Sequence, residues 1–339
     1  MKRLFKGVIF VSITLVLFAF LNLTVQPNKD REGIWRTYGR LEKNSIDAIF
    51  VGSSKMYTFF NPALLWHDFG FTSYDVAGAL LDTNTQYYYV REAFKTQQPK
   101  LVVLDTYTLS DDQEQLNPGQ KENITIMPWG INKIKAAFQP KIPATESERW
   151  IFPVMQYHAR LYMPGEVKRS GFNFAKFGKQ KKRIFMGYRA GIEVAPQEPI
   201  DEPKELDLAV FNRNYPAFER TLNFLKSQNC KVILTITPMA NRTAQVNYNK
   251  ELEKRVSAKY PDIDFLWSYD YEDELGLDYE RDFTDPKHLS VSGAEKWTAL
   301  TGGIFKEKLS EDGPFETSSY GKTTTMFNND YKRYMKDYK

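Results

Sequence analysis

Short apolar runs alternate with helix-like patterns along most of this chain. The runs with the length of a buried strand are 48–51, 73–76, 101–104, 231–237 and 263–267. Segments with apolar residues at helical spacing lie between or after them, at 83–96, 206–228, 243–259 and 292–309. Because parallel strands need crossover connections, this alternation predicts an α/β fold with a three-layer, doubly wound parallel sheet.

The periodicity weakens after the third predicted strand. A connection this long inside a compact domain usually carries helices of its own or a function. We therefore expect a long, partly helical insertion at about 106–205, placed over the carboxyl edge of the sheet. Within it, residues 168–183 contain seven cations and no acidic residue. Nucleic acid, an anionic polymer, lipid headgroups and plain solvent are all compatible surroundings for such a stretch, and we expect no nucleic acid partner.

The chain begins with cations and then an uncharged apolar run. Residues 1–6 include Lys2, Arg3 and Lys6, and residues 7–25 carry no charge. This length is just sufficient for a transmembrane helix, and the flanking cations favour a cytoplasmic amino terminus. A cleaved signal peptide is the main alternative, but no small-x-small cleavage motif follows the run. We expect an uncleaved single-pass anchor in the cell membrane, with the rest of the chain outside.

The remaining chain divides into three parts by composition. A polar membrane-proximal linker is expected at 26–44, an extracytoplasmic domain at 45–309, and a polar, partly disordered tail at 310–339. The sequence is 42% hydrophobic and 26% charged, with a net charge of +4, which is typical of a globular protein. Cys230 is the single cysteine, so an internal disulfide is excluded. There is no zinc-type spacing and no glycine-rich phosphate loop, so no metal and no cofactor are expected.

A candidate nucleophile follows the first predicted strand. The apolar run at 48–51 breaks at Gly52-Ser53-Ser54, which places Ser54 at the carboxyl end of a strand. Reactive side chains emerge at this edge in open α/β sheets. A Gly-Ser turn also occurs for helix capping alone, which is the competing interpretation.

A second motif, near the last predicted helix, contains residues that could activate the serine. Asp285 precedes His288 by three residues in a proline-containing turn, and the chain has only three histidines. A carboxylate in this position can orient the imidazole and fix its tautomer while the other ring nitrogen faces a nucleophile. The alternative is that Asp285 caps a turn and His288 is a surface residue.

Together these motifs resemble the SGNH, or GDSL-type, hydrolase superfamily. The matching residues are Gly52-Ser53-Ser54, Gly78 in the segment YDVAGALLDTN, and Asp285 with His288. The chain is most similar to the membrane-anchored bacterial branch that includes the alginate O-acetylation and D-alanyl-lipoteichoic acid biosynthesis proteins. It differs in having Gly-Ser-Ser for Gly-Asp-Ser, and no asparagine in Leu104-Asp105-Thr106-Tyr107.

The resemblance implies a site and an activity. Ser54 would be the nucleophile, His288 the general base and Asp285 its orienting partner, with the backbone N–H groups of Ser54 and Gly78 as oxyanion donors. The expected function is O-acyl transfer to, or ester hydrolysis on, a cell-envelope polysaccharide or teichoic-acid-like polymer, with a membrane-bound O-acyltransferase as a possible partner. The alternative is a catalytically weak binding or assembly protein with the same fold.

Three further residues are candidates for substrate binding. Tyr107 follows the third predicted strand, and His158 and Arg160 lie in an aromatic-rich part of the insertion. The guanidinium of Arg160 offers a planar fork for oxyanions. His158 and Arg160 are equally compatible with surface positions on a helix.

Overall fold

The computed structural model describes residues 2–25, 29–162, 184–311, 313 and 321–339. The basic stretch at 168–183 lies outside these residues. The chain divides into two compact units, one of Met1–Glu32 with Gln115–Lys182 and the other of Gly33–Glu114 with Arg183–Lys339. Each unit is therefore built from two separate parts of the sequence.

Within the described part of the chain, the strands belong to the unit of Gly33–Glu114 and Arg183–Lys339. They are β1 (Ala48–Gly52), β2 (Ser73–Ala77), β3 (Leu101–Asp105), β4 (Ile184–Phe185), β5 (Tyr188–Arg189), β6 (Lys231–Ile236), β7 (Ile263–Trp267), β8 (Phe283–Asp285) and β9 (His288–Leu289). The central sheet has five parallel strands in the order β2-β1-β3-β6-β7. The pairs β4–β5 and β8–β9 are small antiparallel hairpins.

Helices account for most of the remaining described chain. They are α1 (Lys2–Thr24), α2 (Lys29–Tyr38), α3 (Ser54–Phe59), α4 (Pro62–Leu64), α5 (Thr83–Ala93), α6 (Pro118–Thr125), α7 (Ile131–Ala137), α8 (Ser147–Ile151), α9 (Pro153–Tyr157), α10 (Leu208–Ser227), α11 (Val246–Lys259), α12 (Glu272–Leu275), α13 (Val291–Ser310) and α14 (Gly321–Tyr338). A π-helical turn spans Leu65–Phe69, and 3₁₀ turns span Tyr107–Ser110, Ala144–Glu146, His158–Tyr162 and Ser268–Asp270.

The core lies between the central sheet and its helices. Every residue of β1, β2 and β3 is buried, as expected for parallel strands covered on both faces. Phe50 of β1 stacks on Phe60 at 4.4 Å between ring centroids and contacts Phe305 of α13 at 5.4 Å. The fold is thus α/β with a parallel sheet flanked by helices, as predicted, and it is compatible with three layers.

The strand order determines where a ligand site can form. The chain runs outward from β1 to β2 in one direction and from β3 to β7 in the other, so the order reverses between β1 and β3. Ligands in open α/β sheets bind at the carboxyl ends of the two strands that flank such a reversal. Here the two strands are β1, which is followed by Ser53 and Ser54, and β3, which ends at Asp105 just before Thr106 and Tyr107.

The carboxyl-terminal segment differs from the sequence expectation. Residues 321–338 form the helix α14 within the segment that was expected to be a polar, partly disordered tail. Phe327 and Tyr334 of this helix are fully buried, and the Tyr334 hydroxyl donates to Glu295 Oε1 at 2.6 Å. The segment is polar in overall composition, but its buried residues recur at three- and four-residue spacing, which is the pattern of an amphipathic helix.

The unit of Met1–Glu32 and Gln115–Lys182 contains α1 and, in its described part, α6 to α9. In α1, Lys2–Asn22 has a mean hydropathy of 2.4. None of its most apolar stretch of 18 residues is buried. By length and composition it is able to cross a membrane.

Candidate active site

The turn after β1 is shaped by a close approach to β3. A Cβ on Gly52 would lie 2.2 Å from the Cβ of Asp105, so only glycine fits there. The fully buried Asp105 carboxylate accepts hydrogen bonds from the N–H of Ser53 at 3.0 Å and from its hydroxyl at 2.6 Å. It also accepts from the N–H of Tyr107 at 2.9 Å. These bonds fix Ser53 beneath the turn and leave Ser54 as the partly exposed serine.

Ser54, His288 and Asp285 form a continuous chain of hydrogen bonds. Ser54 Oγ lies 2.7 Å from His288 Nε2, although the two residues are 234 positions apart in the sequence. His288 Nδ1 lies 2.8 Å from Asp285 Oδ2 and 3.0 Å from Oδ1. The structure therefore brings together the three residues that were predicted as a catalytic triad, in the order nucleophile, base and orienting acid.

The histidine and its partner are held in one tight hairpin. Asp285 ends β8 and His288 begins β9, so Pro286 and Lys287 make the turn. The N–H of Lys287 donates to Asp285 Oδ1 at 2.8 Å. The N–H of Ala240 donates to the carbonyl of Pro286 at 2.9 Å and ties the turn to the loop that follows β6.

The electrostatics of the pair suit a general base. Burial acts to raise the pKa of Asp285, but hydrogen bonds from the Lys287 N–H and from His288 outweigh it, so this pKa is lowered from its ordinary value. Burial lowers the pKa of His288, assisted by the nearby Lys55 and Lys287 cations and opposed by Asp285. Near neutral pH, His288 is therefore neutral. With Nδ1–H directed to the carboxylate, its Nε2 lone pair faces Ser54.

Lys55 is a site residue that the sequence analysis missed. Its side chain is 2% exposed, and its ammonium donates to the carbonyl of Lys287 at 3.2 Å. The Nζ atom lies 4.8 Å from the centroid of the Tyr107 ring. Burial lowers the pKa of Lys55 to about 7; Asp105 and Asp285 act in the opposite direction, and Lys287 adds to the lowering. Lys55 thus joins α3, which begins at Ser54, to the Asp285–His288 turn.

The backbone donors depart from the expectation at Gly78. The Gly78 N–H donates to the carbonyl of Gly52 at 3.0 Å. This bond continues the β1–β2 ladder by one residue, because Ala77 is the register partner of Gly52. The Gly78 N–H is therefore engaged by backbone and is not directed at the serine. The N–H of Ser54 opens α3 and has no intrahelical acceptor, as at any helix start.

The three candidate substrate-binding residues lie in different places. Tyr107 lies at the site, since its ring centroid is 5.9 Å from Lys287 Nζ as well as close to Lys55. His158 is exposed in the other compact unit, where its Nδ1 lies 3.2 Å from the carbonyl oxygen of Met155. The side chain of Arg160 lies outside the described part of the chain. Substrate binding by His158 and Arg160 stays a prediction.

Among the residues that the structure describes, no group of three or more histidine, cysteine, aspartate or glutamate side chains is arranged to hold a metal ion. Burial raises the pKa of the Cys230 thiol to about 12, so this thiol is protonated at neutral pH. A serine hydrogen-bonded to an imidazole that is itself held by a carboxylate is an arrangement able to support acyl transfer.

Comparison with known proteins gives no family assignment. No family model matches this chain, and no curated protein matches it.

Proposed function

We propose that this protein is a membrane-anchored, extracytoplasmic O-acyltransferase or esterase of the SGNH type. Its substrate would be a cell-envelope polysaccharide or a teichoic-acid-like polymer, and the acyl group acetyl or similar. The observation that carries the proposal is the unbroken hydrogen-bond chain from Ser54 through His288 to Asp285.

The chemistry follows from the positions of these atoms. Ser54 Oγ attacks the carbonyl carbon of an acyl donor while its proton passes to His288 Nε2. The N–H of Ser54 stabilises the oxyanion, and Asp285 stabilises the imidazolium. Collapse of the tetrahedral intermediate breaks the bond to the donor, whose leaving group takes the proton from Nε2. A sugar hydroxyl or water then gives its proton to Nε2 and attacks the acyl-enzyme. The ester bond to Ser54 Oγ breaks, and Oγ takes the proton back from Nε2.

Two features support the envelope location and the polymer. The apolar α1 is suited to hold the chain at a membrane, where a membrane-bound O-acyltransferase can act as the donor partner. Lys287 is exposed beside the triad, and a cation there suits an anionic acceptor. The choice between transfer and hydrolysis rests on whether a sugar hydroxyl or water reaches the acyl-enzyme.

The second candidate is a binding or assembly protein that retains the fold with weak catalysis. The engaged Gly78 N–H favours it, because an oxyanion hole with one backbone donor stabilises the transition state less well. The absence of an asparagine after β3 points the same way.

A fluorophosphonate probe separates the two candidates. The full-length protein in detergent is exposed to the probe and analysed by intact-mass spectrometry. We expect one adduct on the wild type and none on Ser54→Ala. Ser53→Ala is the matched control and should retain most of the labelling, because the N–H of residue 53 still donates to Asp105 when the hydroxyl is removed.

The other outcomes contradict the proposal in distinct ways. A folded wild type that takes no label supports the binding protein. An adduct that persists in Ser54→Ala but vanishes in a folded Ser53→Ala moves the nucleophile to the first serine.

A further inference from the structure

The short helix α7 exposes large apolar side chains and buries polar ones. Its large apolar residues Ile131 and Ile134, together with Phe138 at its carboxyl-terminal cap, are 53%, 38% and 56% exposed. The polar residues Asn132 and Lys133 are buried, and Lys133 Nζ donates to the carbonyl of Thr125 at 2.7 Å. A surface helix normally has the opposite arrangement. The residues at positions 131, 134 and 138 lie on one face, since they are three and four apart.

This exposed face continues toward the anchor helix within the same compact unit. Trp129, which is 56% exposed, lies 5.4 Å from Phe152 between ring centroids. Phe152 in turn lies 5.2 Å from Phe18 of α1. The N–H of Val154 donates to Asn22 Oδ1 at 3.0 Å, close to the end of the apolar part of α1. An apolar path therefore leads from the end of α1 to α7.

We propose that α7 and Trp129 dock into the interfacial region of the lipid bilayer, next to the point where α1 leaves it. The inference rests on α1 spanning the membrane, as the proposed function does, and adds a second contact with the lipid. Tryptophan is favoured at this depth because its ring is apolar and its N–H is polar. Lys135, exposed on the same side of α7, can place its ammonium among the headgroups while its stem stays in the apolar layer.

A protein partner in the membrane is the competing occupant of this face. The lipid is favoured because the exposed residues join α1, whose own surface is apolar and unburied in the chain. A large exposed apolar patch in water would otherwise promote aggregation. The test must therefore be made with no other protein present.

Nitroxide accessibility in vesicles decides the question. The full-length chain with Cys230→Ser is labelled at Ile134→Cys and reconstituted in phosphatidylcholine–phosphatidylglycerol vesicles. Collision rates are measured with oxygen, which concentrates in the bilayer, and with a water-soluble nickel chelate. Leu15→Cys in α1 is the bilayer control, and Glu274→Cys, exposed in the other unit, is the aqueous control.

The expected result is a several-fold lower nickel collision rate at position 134 than at position 274, with oxygen access close to that of position 15. Nickel access equal to that of position 274 overturns the proposal when position 15 is still protected. Protection from both reagents at position 134 also overturns it and assigns the face to a protein contact. Water access at position 15 would show that α1 does not span the bilayer, and this also overturns the proposal. Fluorophosphonate labelling of Ser54 then tests the proposed chemistry separately.

Discussion

Lys55 places a charge that depends on pH inside the candidate active site. Because burial brings its pKa to about 7, this side chain is divided between ammonium and amine near neutral pH. The ammonium form lowers the pKa of His288, which favours the neutral imidazole that accepts the serine proton. The same side chain holds the Lys287 carbonyl, so it acts on both the position and the basicity of the histidine.

Replacing Lys55 by methionine should shift the acid limb of the activity profile. The rate of serine acylation falls as pH drops through the pKa of His288, which lies below its ordinary value of 6.5 in the wild type. Removal of the cation raises that pKa, so Lys55→Met should lose activity at a higher pH than the wild type. The measurement is kcat/KM for a small aryl ester across pH 4 to 8. Lys254→Met, on the exposed side of α11, is the control, and an unmoved acid limb in Lys55→Met would contradict the role.

The two aspartates near His288 should respond differently to amidation. Asp285→Asn should lower the acylation rate by up to about four orders of magnitude through loss of the correct tautomer, yet less than His288→Ala. Asp282 instead pairs with Lys296 at 2.7 Å and accepts from the Ser292 hydroxyl at 2.6 Å. Asp282→Asn should therefore leave the rate nearly unchanged and cost about 1–3 kcal/mol of stability. Single-turnover acylation and urea unfolding of each variant separate the two effects.

At the scale of elements, α14 contributes to the stability of the unit that contains Ser54 and His288. Tyr334 is fully buried, with its ring centroid 5.8 Å from Phe185 of β4 and 6.3 Å from Tyr188 of β5. Its hydroxyl donates a hydrogen bond to the carboxylate of Glu295 of α13. The helix therefore fastens the β4–β5 hairpin and α13 to each other.

Tyr334→Ala should lower the free energy of unfolding by about 3–5 kcal/mol, because it removes a buried ring and leaves a cavity. Met335, the next residue on the same helix, is 36% exposed, so Met335→Ala should change the stability by less than about 1 kcal/mol. Urea unfolding followed by circular dichroism compares the two. Equal effects would mean that α14 does not pack as described.

The elements and the candidate site differ in how far the sequence predicts them. The five central strands and the helices between them follow from apolar runs and helical spacing, which are local patterns. Ser54, Asp285 and His288 lie in two short motifs that can be recognised separately. Lys55 could not be predicted, because its burial depends on a carbonyl 232 positions away. The engagement of Gly78 likewise depends on the β1–β2 register, which no local pattern specifies.

At the scale of the whole molecule, if α1 spans the membrane as proposed, its orientation determines which compartment Ser54 faces. Lys2, Arg3 and Lys6 precede the apolar span, so residues after about Gln26 should lie on the outer face of the membrane. Protease treatment of intact protoplasts should then digest the soluble units. If they survive intact while control surface proteins are digested, the orientation is reversed and an envelope polymer is excluded as the substrate.

The β8–β9 hairpin has a consequence for how activity is lost on heating. Asp285 and His288 share one turn, and the contact of His288 with Ser54 joins parts of the chain that are distant in the sequence. Local opening of a few residues would remove both groups from the serine together, without unfolding the central sheet. Thermal inactivation should therefore follow amide hydrogen exchange at His288 and Leu289, and it should begin at temperatures where the amides of β1 and β3 are still protected.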